Sequence, residues 1–170
     1  MAIHPALPSE APALSALGAR LFRETYAGQI PDGEIESYVT NAFQPEAQAA
    51  EISHPGGTVL AATGEAGMVA YAQLRPTPCP CPLPFPEPLE VARFYLDTQR
   101  HGTGLAAELM TACRTWAAAH GHGGLWLQVW EDNPRAIRFY EKQGFQELGE
   151  TTFQVGTIVY RDRVLGLPNA

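Results

Sequence analysis

The segment "RPTPCPCPLPFPEPL", Arg75 to Leu89, carries proline at every second position from Pro76 to Pro88. Each ring fixes φ near −65° and removes a backbone donor, so the run can be neither a helix nor a central strand and favours extended, polyproline-like geometry. Regular structure must be built separately on either side of a stiff connector. Two uses fit such a run: a rigid spacer between two strands, or a wall of a substrate site, since long loops often carry binding.

Upstream of it, Leu14, Leu17, Leu21, Phe22 and Tyr26 recur at three- and four-residue intervals after Ser9 and Pro12, which predicts an amphipathic helix from Ala11 to Tyr26. Pro31 and Asp32 open a second helix with Ile35, Tyr38, Val39 and Phe43 as its stripe, and Pro45 to Ile52 adds a further turn or two. "GTVLAAT" and "GMVAYAQL", joined by "TGEAG", read as an antiparallel hairpin, Thr58–Ala62 with Met68–Leu74.

Downstream, Leu89 to Leu96 reads as a strand and Thr103 to His120 as a helix with Leu105, Leu109, Cys113 and Trp116 on one face. "GGLWLQVWE" follows as a buried strand, with Trp126 and Trp130 on one parity and Leu125, Leu127 and Val129 on the other. Asn133, Pro134 and Gly144 punctuate another helix as cap, first turn and stop. Two strands close the chain, about Phe145–Gln154 and Thr157–Leu165. The strand–helix–strand order from Leu89 to Val129 implies two parallel neighbours within an otherwise mixed sheet. The expected class is therefore α/β (α+β), a mixed sheet flanked by helices, in a single domain over residues 1–170, because 170 residues at 45% hydrophobic content suit one core.

A net charge of −7 disfavours nucleic-acid partners, whose phosphates an acidic surface repels, and leaves neutral or cationic partners. The first 22 residues lack a basic n-region and no run is long enough to span a bilayer, so neither a signal peptide nor membrane association is expected and the location is read as cytoplasmic. Cys79, Cys81 and Cys113 form no framework or zinc spacing. His120 and His122 sit at a helix end, where a positive charge is favourable without any metal. No metal site is expected.

Between the strand and helix of the second half lies "QRHGTGLA". Gly102 and Gly104 allow backbone conformations closed to other residues, and a helix start leaves N–H groups unpaired at the positive end of its dipole. The knot is either a helix-starting turn or a cradle in which the amides of Thr103, Gly104, Leu105, Ala106 and Ala107 hold a diphosphate. A P-loop is excluded for want of G-x-x-x-x-G-K-[ST]. "GTGLAA" satisfies G-x-G-x-x-A formally, but the acidic residue and second half-domain of a Rossmann unit are missing.

Two stretches, in order, resemble the GNAT superfamily of N-acetyltransferases. "HGTGLA" is similar to its acetyl-CoA loop [QR]-x-x-G-x-[GA], with His101 where Gln or Arg is usual, and "LQVWEDNPRAIRFYEKQGF" matches its block L-x-V-x-x-x-N-x-x-A-x-x-F-Y-x-x-x-G-F throughout. The tail "ETTFQVGTIVYRDRVL" looks like bacterial members related to spermidine/spermine acetyltransferases, with "TFxxG" and a late Asp, here Asp162.

The resemblance implies a GNAT-type, mostly antiparallel sheet with a splayed pair of parallel strands. It implies direct acetyl transfer from acetyl-CoA to a primary amine of a small molecule, a polyamine being favoured; the rival is a non-catalytic acyl-CoA-binding sensor. Strand residues Phe94, Tyr95 and Leu96 would grip the pantetheine and polarise the thioester. His101, Gly102, Thr103, Gly104, Leu105, Ala106 and Ala107 would hold the diphosphate, and Asn133, Ala136, Phe139 and Tyr140 would line the cofactor from the following helix. Tyr140 would protonate the departing thiolate. Glu90 would be the base that deprotonates the amine, with Glu87 and Glu131 as rivals and an ion pair with Arg93 as its structural alternative. Phe94 and Leu96 read equally as core residues, and a homodimer is left open.

Overall fold

The computed structural model describes residues 1–169. A seven-stranded sheet runs in the order β1-β2-β3-β4-β5-β7-β6, from β1 (Ala2–Pro5), β2 (Thr58–Gly64), β3 (Gly67–Arg75), β4 (Pro88–Leu96), β5 (Gly124–Trp130), β6 (Gln146–Val155) and β7 (Ile158–Pro168). All pairings are antiparallel except β4 with β5. The expected mixed, mostly antiparallel sheet with one parallel pair is what forms.

Helices cover both faces. On one lie α1 (Ala11–Tyr26), α2 (Asp32–Ala42) and α3 (Pro45–Ile52); on the other lie α4 (Leu105–Ala119) and α5 (Pro134–Lys142). The alternation of the strands assigns each residue to a face. Val59, Ala61 and Tyr71 meet Leu14, Leu17 and Leu21 of α1, whereas Leu60, Ala62, Ala72, Leu89, Leu125 and Leu127 meet Leu105, Leu109, Met110 and Cys113 of α4. Each fully buried Leu contributes roughly 1.5–3 kcal/mol, so these faces dominate the docking of both helices. A third cluster joins Phe22, Ile30, Ile35, Val39, Phe43 and Val155, closing α2 over the end of the hairpin of β6 and β7.

Two features differ from the sequence reading. β1 was not expected: it is four residues long, shows no alternation, and occupies the sheet edge, where Pro5 costs no ladder bond. α4 begins at Leu105, not Thr103, because Gly104 caps it at φ 90°, outside helical space. No residue from 76 to 87 joins a helix or strand. The proline run lies over the glycine-lined surface of the C-terminal strands: a Cβ on Gly124 would stand 2.8 Å from the Phe85 ring, and one on Gly149 would stand 2.7 Å from Cys81 Sγ. The Trp126 indole N–H donates to the Thr77 carbonyl at 3.0 Å. This run is a spacer seated on the sheet.

Candidate active site

The parallel pair is short. β4 and β5 are in register only at Pro88–Gly124, Leu89–Leu125 and Glu90–Trp126. Just beyond, Leu74 pairs with Val91 and Gln73 with Arg93, so Ala92 is an extra residue that kinks β4 away from β5. A cleft of about 650 Å³ opens through the sheet between the two diverging strands.

Asp97 donates its N–H to the Val69 carbonyl at 2.8 Å. Because antiparallel bonds alternate along a strand, Tyr95 and Arg93 also turn their backbone groups to β3, while Phe94 and Leu96 turn theirs into the gap. Both residues line the cleft. The side chains of β4 part company as well: Phe94 stacks on Phe139 at 5.5 Å, whereas Tyr95 packs with Tyr71 and Phe43 on the opposite face.

On the α4 side, Thr98, Arg100, His101, Gly102, Gly104 and Ala106 border the cleft. Gly102 (φ 77°) and Gly104 (φ 90°) are left-handed, and a Cβ on either would meet nothing within 4 Å. Glycine is needed there for conformation, and the chain leaves open space in front of it. The first helical bond of α4 runs from Glu108 N–H to the Gly104 carbonyl at 3.1 Å, leaving the amides of Leu105, Ala106 and Ala107 without intrahelical partners. Arg135 of α5 also lines this side. Burial, and then the charge of Arg135, lower the His101 pKa below its usual range, so the imidazole is neutral near pH 7. Free amides, a helix N-terminus, two arginines and open space suit a diphosphate-bearing cofactor.

Tyr140 lies across from β4, held edge-on by Phe94 (6.2 Å), Phe139 (5.3 Å) and Phe145 (5.6 Å). It lines the cleft and is 8% exposed. Burial, chiefly, raises its phenol well above the ordinary value, with lesser contributions from Cys113 and Tyr26, so it stays protonated at any physiological pH. Asn133 caps α5 by accepting from the Ala136 N–H at 3.1 Å, and Asn133, Ala136 and Phe139 all border the cleft.

Four expected site residues do not line it. Glu90 is the main correction: it is 4% exposed and accepts from Arg75 Nε at 2.7 Å. Lying before the Ala92 kink, where β5 still covers β4, it is a structural ion-pair partner and is not placed to receive a proton from a molecule in the cleft. Thr103 spends its N–H (3.4 Å) and hydroxyl (2.7 Å) on the Arg100 carbonyl. Leu105 is core at 1% exposure, and with Ala107 it can offer only its amide. His120 stacks on Trp116 at 3.8 Å and His122 faces the Glu87 carbonyl at 3.2 Å, both away from the cleft.

The α1 side of the cleft was not read from the sequence. Phe22, Tyr26, Tyr38, Trp130 and Phe153 line it, with centroid separations of 4.4 Å for Phe22–Tyr38, 5.7 Å for Tyr38–Phe153 and 5.8 Å for Tyr26–Trp130. Asp162 stands among them, opposite Trp130 in the ladder, 5% exposed, its Oδ1 without a hydrogen-bond partner. Arg135 was within reach, inside the matched "NPR" stretch; the aromatic wall was not, because its rings come from α1, α2, β5 and β6.

Comparison with known proteins agrees with this geometry. Residues 20–145 match the model of the acetyltransferase (GNAT) family. An uncharacterized N-acetyltransferase of Mycobacterium tuberculosis is 31% identical over 157 residues, 92% of this chain and 96% of that one. Among solved structures, the PaiA N-acetyltransferase of Thermoplasma acidophilum in complex with coenzyme A superposes with a TM-score of 0.78 at 18% identity, covering 99% of both chains. The ribosomal-protein-S18-alanine N-acetyltransferase of Escherichia coli gives 0.68 at 18% identity, over 99% of this chain and 94% of that one. At such identities the two structures speak for the fold alone.

Proposed function

The chain belongs to the GNAT family and is an acetyl-CoA-dependent acetyltransferase; from that premise we propose that it acetylates the primary amine of a small molecule, with polyamines favoured. The observation that carries the reading is the two-sidedness of the cleft. One mouth offers free amides, Arg100 and Arg135 to an anionic cofactor, and the other offers aromatic faces and a buried carboxylate to a cation.

Acetyl-CoA supplies an acetyl group activated as a thioester. The chain's part is to hold and aim it. The amides of Gly104, Leu105, Ala106 and Ala107, with Arg100 and His101, would hold the diphosphate, and Asn133, Ala136 and Phe139 would flank the pantetheine. The outward backbone of Phe94 and Leu96 would pair with that arm as an added strand edge and aim an N–H at the oxygen where charge develops. Tyr140 would give its proton to the departing sulfur. The dry setting that raises the phenol also penalises a thiolate, so both acids move in the same direction and the transfer stays matched.

The acceptor preference rests on the aromatic wall and on the net charge of −7, which concentrates cations at the surface. The test is thiol release from acetyl-CoA against an amine panel. Turnover is expected with alkylamines, and Tyr140→Phe should lose about 100-fold or more in kcat while keeping acetyl-CoA binding. Cofactor binding with no turnover of any amine would contradict the reading.

A further inference from the structure

We propose that Asp162 is the anchor and base for the acceptor: it binds the alkylammonium group in the aromatic half of the cleft and takes one of its protons. The assignment rests on the reading of this cleft as an amine-acetylating site and extends it to the group that selects the substrate.

Three carboxylates border the cleft. Glu24 and Asp132 are exposed at the rim, whereas Asp162 is buried, at 5% exposure. A carboxylate held this far from water needs compensation. None is present: no salt bridge reaches it among the described residues, and Oδ1 has no hydrogen-bond partner. The cations next to it in sequence, Arg161 and Arg163, point to the other face of β7. There they meet Glu150 at 2.7 Å and Glu147 at 3.3 Å, with Glu131 3.8 Å from Arg161.

Among the described residues, none of the groups that face Asp162 is a cation. From α1 comes the Tyr26 phenol, raised by burial; β6 places Thr151 opposite it and β5 places Trp130; Glu131, beside Arg161 on the other face, adds a like charge nearby. No cation stands against the carboxylate itself, since Arg93 of β4, the guanidinium on this side of the cleft, lies over the Phe43 ring at 4.9 Å and donates to Gln73 at 2.8 Å, while aromatic faces from Tyr26, Tyr38 and Trp130 supply negative π surfaces that favour a cation. A buried acid inside such a wall fits a protonated alkylamine. It disfavours a hydroxyl, a carboxylate or an uncharged arylamine.

Groups already in the cleft can carry every proton of the transfer. An alkylammonium nitrogen bears three protons and the amide product keeps one. The first passes to Asp162 and then to solvent, freeing the lone pair that forms the C–N bond. As the C–S bond breaks with its electron pair on sulfur, Tyr140 gives its proton to that sulfur and regains one from the nitrogen. Burial, with Glu131 adding to it, pushes Asp162 up to about 6. It is therefore ionised at pH 7, yet basic enough to share a proton.

The experiment compares wild type, Asp162→Asn and Asp132→Asn in two readouts: thiol release from acetyl-CoA, and calorimetric binding of butylamine, 1,4-diaminobutane and spermidine to the protein saturated with CoA. Asp162→Asn should keep CoA binding and its thermal shift, lose about 100-fold or more in kcat/KM, and weaken amine binding about 10-fold or more. Asp132→Asn should stay within a few-fold of wild type. Wild-type kcat/KM should fall as pH drops below about 6, and the residual activity of Asp162→Asn should lack that limb. If Asp162→Asn matches wild type in both readouts, the anchor is overturned and acetylation stands. If wild type binds amines through Asp162 and acetylates none, the anchor stands and acetylation falls. If wild type neither binds nor acetylates any of them, both fall.

Discussion

Two buried carboxylates, Glu90 and Asp162, show what decides the role of a single side chain. Both are about 95% buried, at 4% and 5% exposed, but Arg75 satisfies Glu90 and nothing satisfies Asp162. Glu90→Gln should cost roughly 1–2 kcal/mol, less than the 3–5 kcal/mol of a wholly buried pair because Arg75 is more than a third exposed, and lower Tm by a few degrees with kcat/KM nearly unchanged. Asp162→Asn should do the reverse. The folded-state pKa of Asp162, about 6, exceeds the ordinary 3.8, so the folded protein binds this proton more tightly and loses stability as pH rises between those values. The substitution removes that loss. Thermal melts should show Asp162→Asn equal to or above wild type at pH 7–8, with the difference vanishing below pH 4. The sequence placed an acid on β4 without revealing its partner, since Arg75 lies across a strand pairing and before the proline run. The position of Tyr140 in the cleft, by contrast, was legible because the cap Asn133 and the helical Ala136 and Phe139 precede it at readable spacing.

At the scale of elements, local chemistry made most of the fold legible. Cap, proline and glycine marked α5, hydrophobic periodicity marked α1 and α4, and the strand–helix–strand order correctly implied the parallel pair. The splay was not readable from local pattern, because the extra residue at Ala92 is defined only against its partners on β3. The edge strand β1 was hidden by its brevity. The knot is the element to perturb. Gly104→Ala meets no atom within 4 Å but must hold φ 90°, so it should cost about 1 kcal/mol in stability and weaken acetyl-CoA binding about 10-fold by projecting a methyl into the cradle. A calorimetric titration checks the affinity and a melt checks the stability. Gly124→Val should destabilise by unseating Phe85 while leaving the KM for acetyl-CoA unchanged, since the proline run stands off the cleft.

Across the whole molecule, helices on both faces bury the sheet, and the one place left open is where two parallel strands separate. None of the helices is long and apolar enough to cross a membrane among the described residues. The cleft therefore joins two environments through one sheet: free amides with Arg100 and Arg135 on the α4 side, and aromatic rings with Arg93 over Phe43 and an unpaired acid on the α1 side. With a net charge of −7, the KM for a cationic acceptor should rise several-fold as ionic strength goes from about 10 mM to about 0.3 M, while a weakly charged amine changes less. Product analysis decides whether acetyl passes to an amine within this cleft. Acetyl-CoA is incubated with an equimolar mixture of butylamine, 1,4-diaminobutane and spermidine, and the amines are resolved by mass spectrometry for wild type and Tyr140→Phe. Wild type should yield an N-acetylated amine and the variant almost none. Unmodified amines from a wild-type protein that binds acetyl-CoA would contradict that transfer.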